Sequence, residues 1–196
     1  ADYEDGDEPG GSNYDATALD VPSGAEATLN GGKITNAGNF TFAVSASGTL
    51  NIPATSTLTI VGRHGAIAVS GGLTTVSAGS YSIPENILYT DNVVYVEGGE
   101  LVINGGTFTG DADKAQGGAC VSQLGGKVTI NGGVYGKSSG GDVYGVTGSM
   151  TIKGGKFENL IENQHIAEGY ELNANGEVVK KNAGVITKEA IEEMIS

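Results

Sequence analysis

Leu101-Val-Ile-Asn-Gly-Gly-Thr-Phe108 is written again, without a gap, as Val128-Thr-Ile-Asn-Gly-Gly-Val-Tyr135 and a third time as Met150-Thr-Ile-Lys-Gly-Gly-Lys-Phe157. Each copy reads apolar-x-Ile-Asn/Lys-Gly-Gly-x-aromatic. The matching residues Ile103, Ile130 and Ile152 are 27 and then 22 positions apart, and no helical periodicity lies between the copies. A short strand recurring at such a period pairs with its own counterpart in the next turn of a solenoid, in parallel register. The expected fold is all-β, a short right-handed parallel β-helix. Ile103, Ile130 and Ile152 form one interior stack in it, and Phe108, Tyr135 and Phe157 a second.

Fainter echoes run upstream: Gly31-Gly-Lys-Ile34, Gly48-Thr-Leu-Asn-Ile52, Thr57-Leu-Thr-Ile-Val61 and Val93-Val-Tyr-Val96. All are short, rich in β-branched residues and alternating, as half-buried strands are. The Gly pairs mark corners where the backbone takes a positive φ. Asn104 and Asn131 fall at equivalent corners and can stack as a hydrogen-bonded ladder, which Lys153 at the third position breaks. With neighbouring strands about 4.8 Å apart, roughly six coils make a rod core about 30 Å tall.

The ends of a solenoid must differ from its middle, because an uncovered coil is an aggregating edge. Residues 1–24 read as an extended arm whose first 20 residues carry acids and no base. The β-helix is expected over 25–181, most clearly over 99–181. Gly169-Tyr-Glu-Leu-Asn-Ala-Asn-Gly-Glu-Val-Val179 reads as a closing hairpin turned on Asn175-Gly176. Residues 182–196 hold a short helix with Thr187 as N-cap and Ile191, Met194 and Ile195 on one face. Ten residues do not stay helical alone. That face and the arm residues Asp2, Tyr3, Glu4, Asp5 and Tyr14 are therefore the expected attachment surfaces, to a larger assembly or to a second copy of the chain.

Of 196 residues 34 are Gly and 4 are Pro, without a G-x-y period, which excludes collagen and falls short of low-complexity disorder. The formal charge of −13 and a single Arg, Arg63, exclude a nucleic-acid groove, which needs clustered cations. No apolar run reaches the roughly 18 residues of a membrane span, and no charged-then-apolar leader opens the chain, which reads as a soluble or already processed form. One cysteine, Cys120, excludes a disulfide scaffold.

The repeats, together with the closing Gly-Lys-Phe-Glu-Asn and Ile166-Ala-Glu-Gly-Tyr-Glu-Leu-Asn segments, resemble the β-helical repeats of surface, secreted and phage structural proteins from gut Bacteroidales and Firmicutes. The resemblance covers about residues 99–181 and implies a non-catalytic surface role, on a virion or a cell. A short chain and a strongly negative, association-resistant surface favour the virion. The expected function is thus a phage structural protein of the capsid-decoration or head-fibre type, partnered by other structural proteins. The alternative is a secreted or cell-surface adhesin that binds glycans, and a third reading is a degenerate polysaccharide lyase.

Pectate-lyase-like enzymes share this architecture and use clustered Asp for Ca²⁺ with a base beside it. Here Asp111, Asp113 and Asp142 with Arg63 are the candidates, but no Asp repeats at the coil spacing, and the expectation is that these acids are solvated loop residues. His64, Cys120 and His165 are at least 45 positions apart, which is no metal-ligand spacing. Gly136-Lys137-Ser138 lacks the glycine run and helix of a phosphate loop. No cofactor, metal or catalytic set is expected. Cys120 reads as a small buried hydrophobe rather than a nucleophile. Tyr81, Tyr89, Tyr95, Tyr135, Tyr144 and Tyr170 can meet sugars, although at least half of Tyr95, Tyr135 and Tyr144 are expected to pack inward or against a neighbour.

Overall fold

A computed structural model of the chain describes residues 17–38, 41–84, 92–111, 118–145, 149–159 and 161–181. The arm residues Asp2, Tyr3, Glu4, Asp5 and Tyr14, the acid Asp113, and the terminal segment with Ile191, Met194 and Ile195 lie outside the described residues.

Each coil contributes three strands. The first has β1 (Leu19–Val21), β2 (Glu26–Thr28) and β3 (Lys33–Asn36), and the second β4 (Val44–Ala46), β5 (Thr49–Ile52) and β6 (Thr59–Gly62). The third has β7 (Ile67–Val69), β8 (Leu73–Val76) and β9 (Ser80–Ser82), and the fourth β10 (Val94–Val96), β11 (Glu100–Ile103) and β12 (Thr107–Thr109). The fifth has β13 (Val121–Gln123), β14 (Lys127–Ile130) and β15 (Val134–Gly136), and the sixth β16 (Val143–Gly145), β17 (Ser149–Ile152) and β18 (Lys156–Phe157). First, second and third strands collect into sheets A, B and C, each six-stranded, and every pairing within them is parallel. Five inter-coil steps give a stack about 24 Å long.

The solenoid begins earlier than the sequence suggests. Leu19-Asp20-Val21, assigned to the arm, is β1, paired in register with Val44-Ser45-Ala46. Its single acid, Asp20, occupies the outward position between two inward apolar residues, so the charge is no obstacle to the strand.

Alternation fills the core from all three sheets. Val44, Ile67, Val94, Val121 and Val143 stack from sheet A, Ile52, Val76, Ile103, Ile130 and Ile152 from sheet B, all buried. Sheet C supplies Ile60, Tyr81, Phe108, Tyr135 and Phe157. Both expected stacks are present, and Tyr81 extends the aromatic one. Its rings lie nearly parallel at centroid spacings of 4.9, 5.0 and 4.7 Å, the spacing of the strands themselves.

Two corners recur with glycine at a positive φ, and in the later coils they are also tightly packed. At Gly99, between sheets A and B, φ is +68° and a Cβ would stand 2.4 Å from the Gly71 carbonyl carbon. At Gly133, between sheets B and C, φ is +104° and a Cβ would stand 2.8 Å from the Tyr135 hydroxyl. That steric demand accounts for the glycine excess. The polar ladder runs along the B-to-C corner: Asn131 Nδ2 donates to Asn104 Oδ1, and Asn104 Nδ2 to Ser77 Oγ.

The C-terminal end is closed. The backbone after a 3₁₀ turn (Asn163–His165) bridges β17, with Ile166 beside Ile152 and Ala167 N donating to Ile152 O. A hairpin of β19 (Tyr170–Leu172) and β20 (Val178–Lys180) then covers β18, with Phe157 N donating to Gly176 O and Val178 N to Gly155 O. Its loop is not the two-residue Asn-Gly turn expected. Asn173 N donates to Glu177 O, which leaves three residues in the loop with Gly176 last at φ +76°. The Asn173 side chain selects this form, because its Oδ1 accepts from both Asn175 N and Glu177 N.

Candidate functional site

The connections between coils are not equivalent. From sheet A to sheet B two to four residues suffice, whereas from sheet C to the next sheet A the chain runs up to 83–93 and 110–120. Length and sequence variation therefore gather along one edge of the rod, the C-to-A edge, while the tight corners hold the register. Apart from Tyr81 and Tyr135 in the core and His165 and Tyr170 in the C-terminal closure, the candidate functional residues among those described lie on this edge or on the neighbouring face of sheet A.

Asp142 and Asp111 are the first of them, and they are buried, not solvated. Asp142 is fully inaccessible. Its Oδ1 accepts from Ser138 Oγ at 2.8 Å and Asn159 Nδ2 at 3.0 Å, and its Oδ2 accepts from Asn159 N at 2.7 Å. A carboxylate taken out of water needs such donors, and these tie the fifth corner to the end of the sixth coil. Arg63 follows β6 in the second coil, whereas Asp111 and Asp142 follow β12 and β15, two and three coils further along the axis. Among the described residues no three His, Cys, Asp or Glu side chains converge as a metal site would require.

Cys120 lies beside this brace, fully buried, with Sγ donating to Phe108 O at 3.3 Å and Gly136 O at 3.4 Å. Burial first, then the charge of Asp142, pushes its thiol from 9.0 up to about 12. A thiol so protonated is no nucleophile, since the thiolate is the reactive form.

Further toward the N-terminal end, Phe42, His64, Ala68, Asn92, Tyr95 and Glu97 line an open cleft of about 460 Å³. Its floor is Ala68, the outward residue of β7, in register with Tyr95 on one side and Ser45 on the other. Phe42 and Tyr95 reach over that small residue from the coils on either side until their rings stack, 5.8 Å apart and 16° from parallel. His64 meets Phe42 edge-on at 5.0 Å. The backbone fixes these positions. Asn36 Nδ2 donates to Phe42 O and to Thr41 Oγ1, pinning the corner that carries the ring. Gly65 makes room, because a Cβ there would fall 2.1 Å from Phe42 Cε1. Asn92 is oriented by Ala119 N, which donates to its Oδ1 at 2.9 Å. Partial burial, then the charge of Glu97 and a hydrogen bond with it, raise the Tyr95 phenol above its usual value, so it stays a neutral hydroxyl.

A larger cleft of about 700 Å³ runs between the outer face of sheet C and the hairpin loop, past Thr107, Val134, Lys156 and Glu158 to Asn173 and Asn175. It presents no aromatic face, since Phe108, Tyr135 and Phe157 point into the core.

Of the tyrosines singled out from the sequence, Tyr81 and Tyr135 are core residues, Tyr95 packs against Phe42, and Tyr144 is 49% exposed on sheet A. Sequence reasoning missed Phe42, His64 and Asn92 as partners of Tyr95. They come from three successive corners, and only the strand register brings them together. No family model, no curated protein and no solved structure matches the chain. The protein is a parallel β-solenoid sealed at its C-terminal end.

Proposed function

We propose that this chain is a non-catalytic display rod of a larger assembly, a virion surface component of the capsid-decoration or head-fibre type. The observation that carries the reading is the contrast between the two ends of the solenoid. The last coil is closed by the Ile166 bridge and the hairpin. The first coil's strands β1, β2 and β3 each have a hydrogen-bonded neighbour on one side only among the described residues, and of their inward residues Leu19, Ala27 and Ile34 are only partly buried, while Val21 is buried. An edge of that kind is what a solenoid offers to a base or a neighbouring subunit. The use of the Asp142 carboxylate as an internal brace, and the distance of Arg63 along the axis, support a structural rather than a lyase role.

Mass spectrometry of gradient-purified virions against cell-envelope and medium fractions from the native source tests this. The chain is expected in the virion fraction at a fixed ratio to the major capsid protein. Recovery in the envelope or medium alone would replace the virion by the cell surface as its setting.

A further inference from the structure

From the cleft over Ala68 we infer a second property: the outer face of sheet A binds a neutral saccharide chain, with the Phe42–Tyr95 pair as its anchoring subsite. The inference does not depend on where the rod is displayed.

The outward column of sheet A runs Asp20, Ser45, Ala68, Tyr95, Ser122, Tyr144, one residue per coil. Tyr95 and Tyr144 are the outward aromatics among the described strand residues of the three sheets, and both stand on this face. They are two coils apart, about 10 Å, with the small Ser122, itself buried, between them, and Ala68 is the small residue on the far side of Tyr95. Aromatic and small residues thus alternate along a straight, rigid wall. Such a wall matches a polymer of flat-faced rings lying parallel to the rod.

The chemistry around the anchor selects the ligand class. Pyranose rings carry patches of C–H that lie against aromatic faces and hydroxyls that need donors and acceptors at the edge. Phe42 and Tyr95, stacked on each other and each only partly buried, supply the aromatic surface. The Asn92 amide nitrogen, the Glu97 carboxylate, the His64 imidazole and the Tyr95 hydroxyl supply the edge groups within the same cleft. Glu97 at the rim, in a protein of net charge −13, disfavours polyanions. Because Asn36, Gly65 and Ala119 fix the rings and the amide, the cleft is preformed, and little ordering has to accompany binding.

Affinity electrophoresis of the full chain through gels containing xylan, mixed-linkage glucan, mannan or starch, with polygalacturonate and alginate as anionic controls, tests the inference. Retardation is expected in at least one neutral gel and in neither anionic gel. Tyr95→Ala and Asn92→Ala are expected to weaken it at least tenfold. Ala68→Tyr, whose ring takes the space in which Phe42 and Tyr95 meet, is expected to abolish it, with an unchanged far-ultraviolet circular dichroism spectrum showing that the variant is folded. No retardation in any neutral gel, retardation only by the polyanions, or binding that survives both Tyr95→Ala and Ala68→Tyr would overturn the inference.

Discussion

Tyr135 stacks on Phe108 inside the rod with ring centroids 5.0 Å apart and planes 7° from parallel, and its hydroxyl donates to Gly132 O at the adjoining corner. One side chain thus serves both the interior column and the glycine corner beside it. Because the ring carries the packing and the hydroxyl only one bond, the two contributions separate by mutation. Tyr135→Ala is expected to cost about 3–5 kcal/mol, and Tyr135→Phe about 1 kcal/mol. Urea unfolding checks both, and equal costs would show that the stacked ring contributes nothing.

Gly99→Ala tests the corner ladder. The substitution places a Cβ at a positive φ and against the Gly71 backbone, which has no flexible end to move aside. A loss of more than about 1 kcal/mol follows from the backbone conformation alone. Gly24→Ala is the control, since φ is also positive there but no atom lies within 4 Å of the added Cβ. A clearly lower melting temperature is expected for the Gly99 variant than for the Gly24 variant.

The brace at Asp142 predicts strong coupling. Asp142→Ala leaves the amide of Asn159 and the hydroxyl of Ser138 without their acceptor in a buried corner, which costs about 2–3 kcal/mol. Asn159→Ala removes one of the same contacts, the donation from its Nδ2 to Asp142 Oδ1, and leaves the backbone donation in place, so the double variant should cost less than the sum of the singles by the worth of that shared contact. Additive losses in chemical denaturation would mean that the two side chains stabilise the corner independently.

Alkaline pH probes Cys120. Its thiol has a folded value of about 12 against 9.0 when unfolded, so the stability it contributes is complete below pH 9 and is lost as the pH rises toward 12. The loss attributable to the thiol reaches about 4 kcal/mol at the upper end of that window. Tyr135, buried beside it, is raised for the same reason and acts in the same direction. Cys120→Ala is expected to flatten the decline between pH 9 and pH 12, and the wild-type thiol should not react with a disulfide reagent at pH 8 until the protein unfolds. Rapid native-state reaction would contradict its placement.

The parts of this fold that were legible from residues alone are those where the corner chemistry repeats. Ile-Asn-Gly-Gly-x-aromatic located β11 and β12, β14 and β15, and β17 and β18, because the Gly pair and the following aromatic sit at fixed offsets from the strand. Tyr81 escaped the aromatic column because Ala78-Gly79 stands where the later coils have Gly-Gly, although its 27-residue offset from Phe108 was available as a signal. The strands of sheet A are three residues long and β1 carries an acid, so nothing in Leu19-Asp20-Val21 by itself marked the start of the solenoid. Asp142 was misread as solvated because its donors, Ser138 and Asn159, lie on two different coils. The cleft at Phe42 and Tyr95 was illegible for a related reason: its corners are far apart in the chain, 22 positions from Phe42 to His64 and 28 from His64 to Asn92, and whether a strand tyrosine points in or out depends on the pairing register.

Cryo-electron microscopy of intact particles purified from the native source, labelled with an antibody raised against the folded chain, decides whether the rod is displayed on a virion. Label on regularly spaced projections, each with room for a three-sided solenoid about 24 Å long, is the predicted result. Unlabelled particles beside labelled cell envelopes would contradict it.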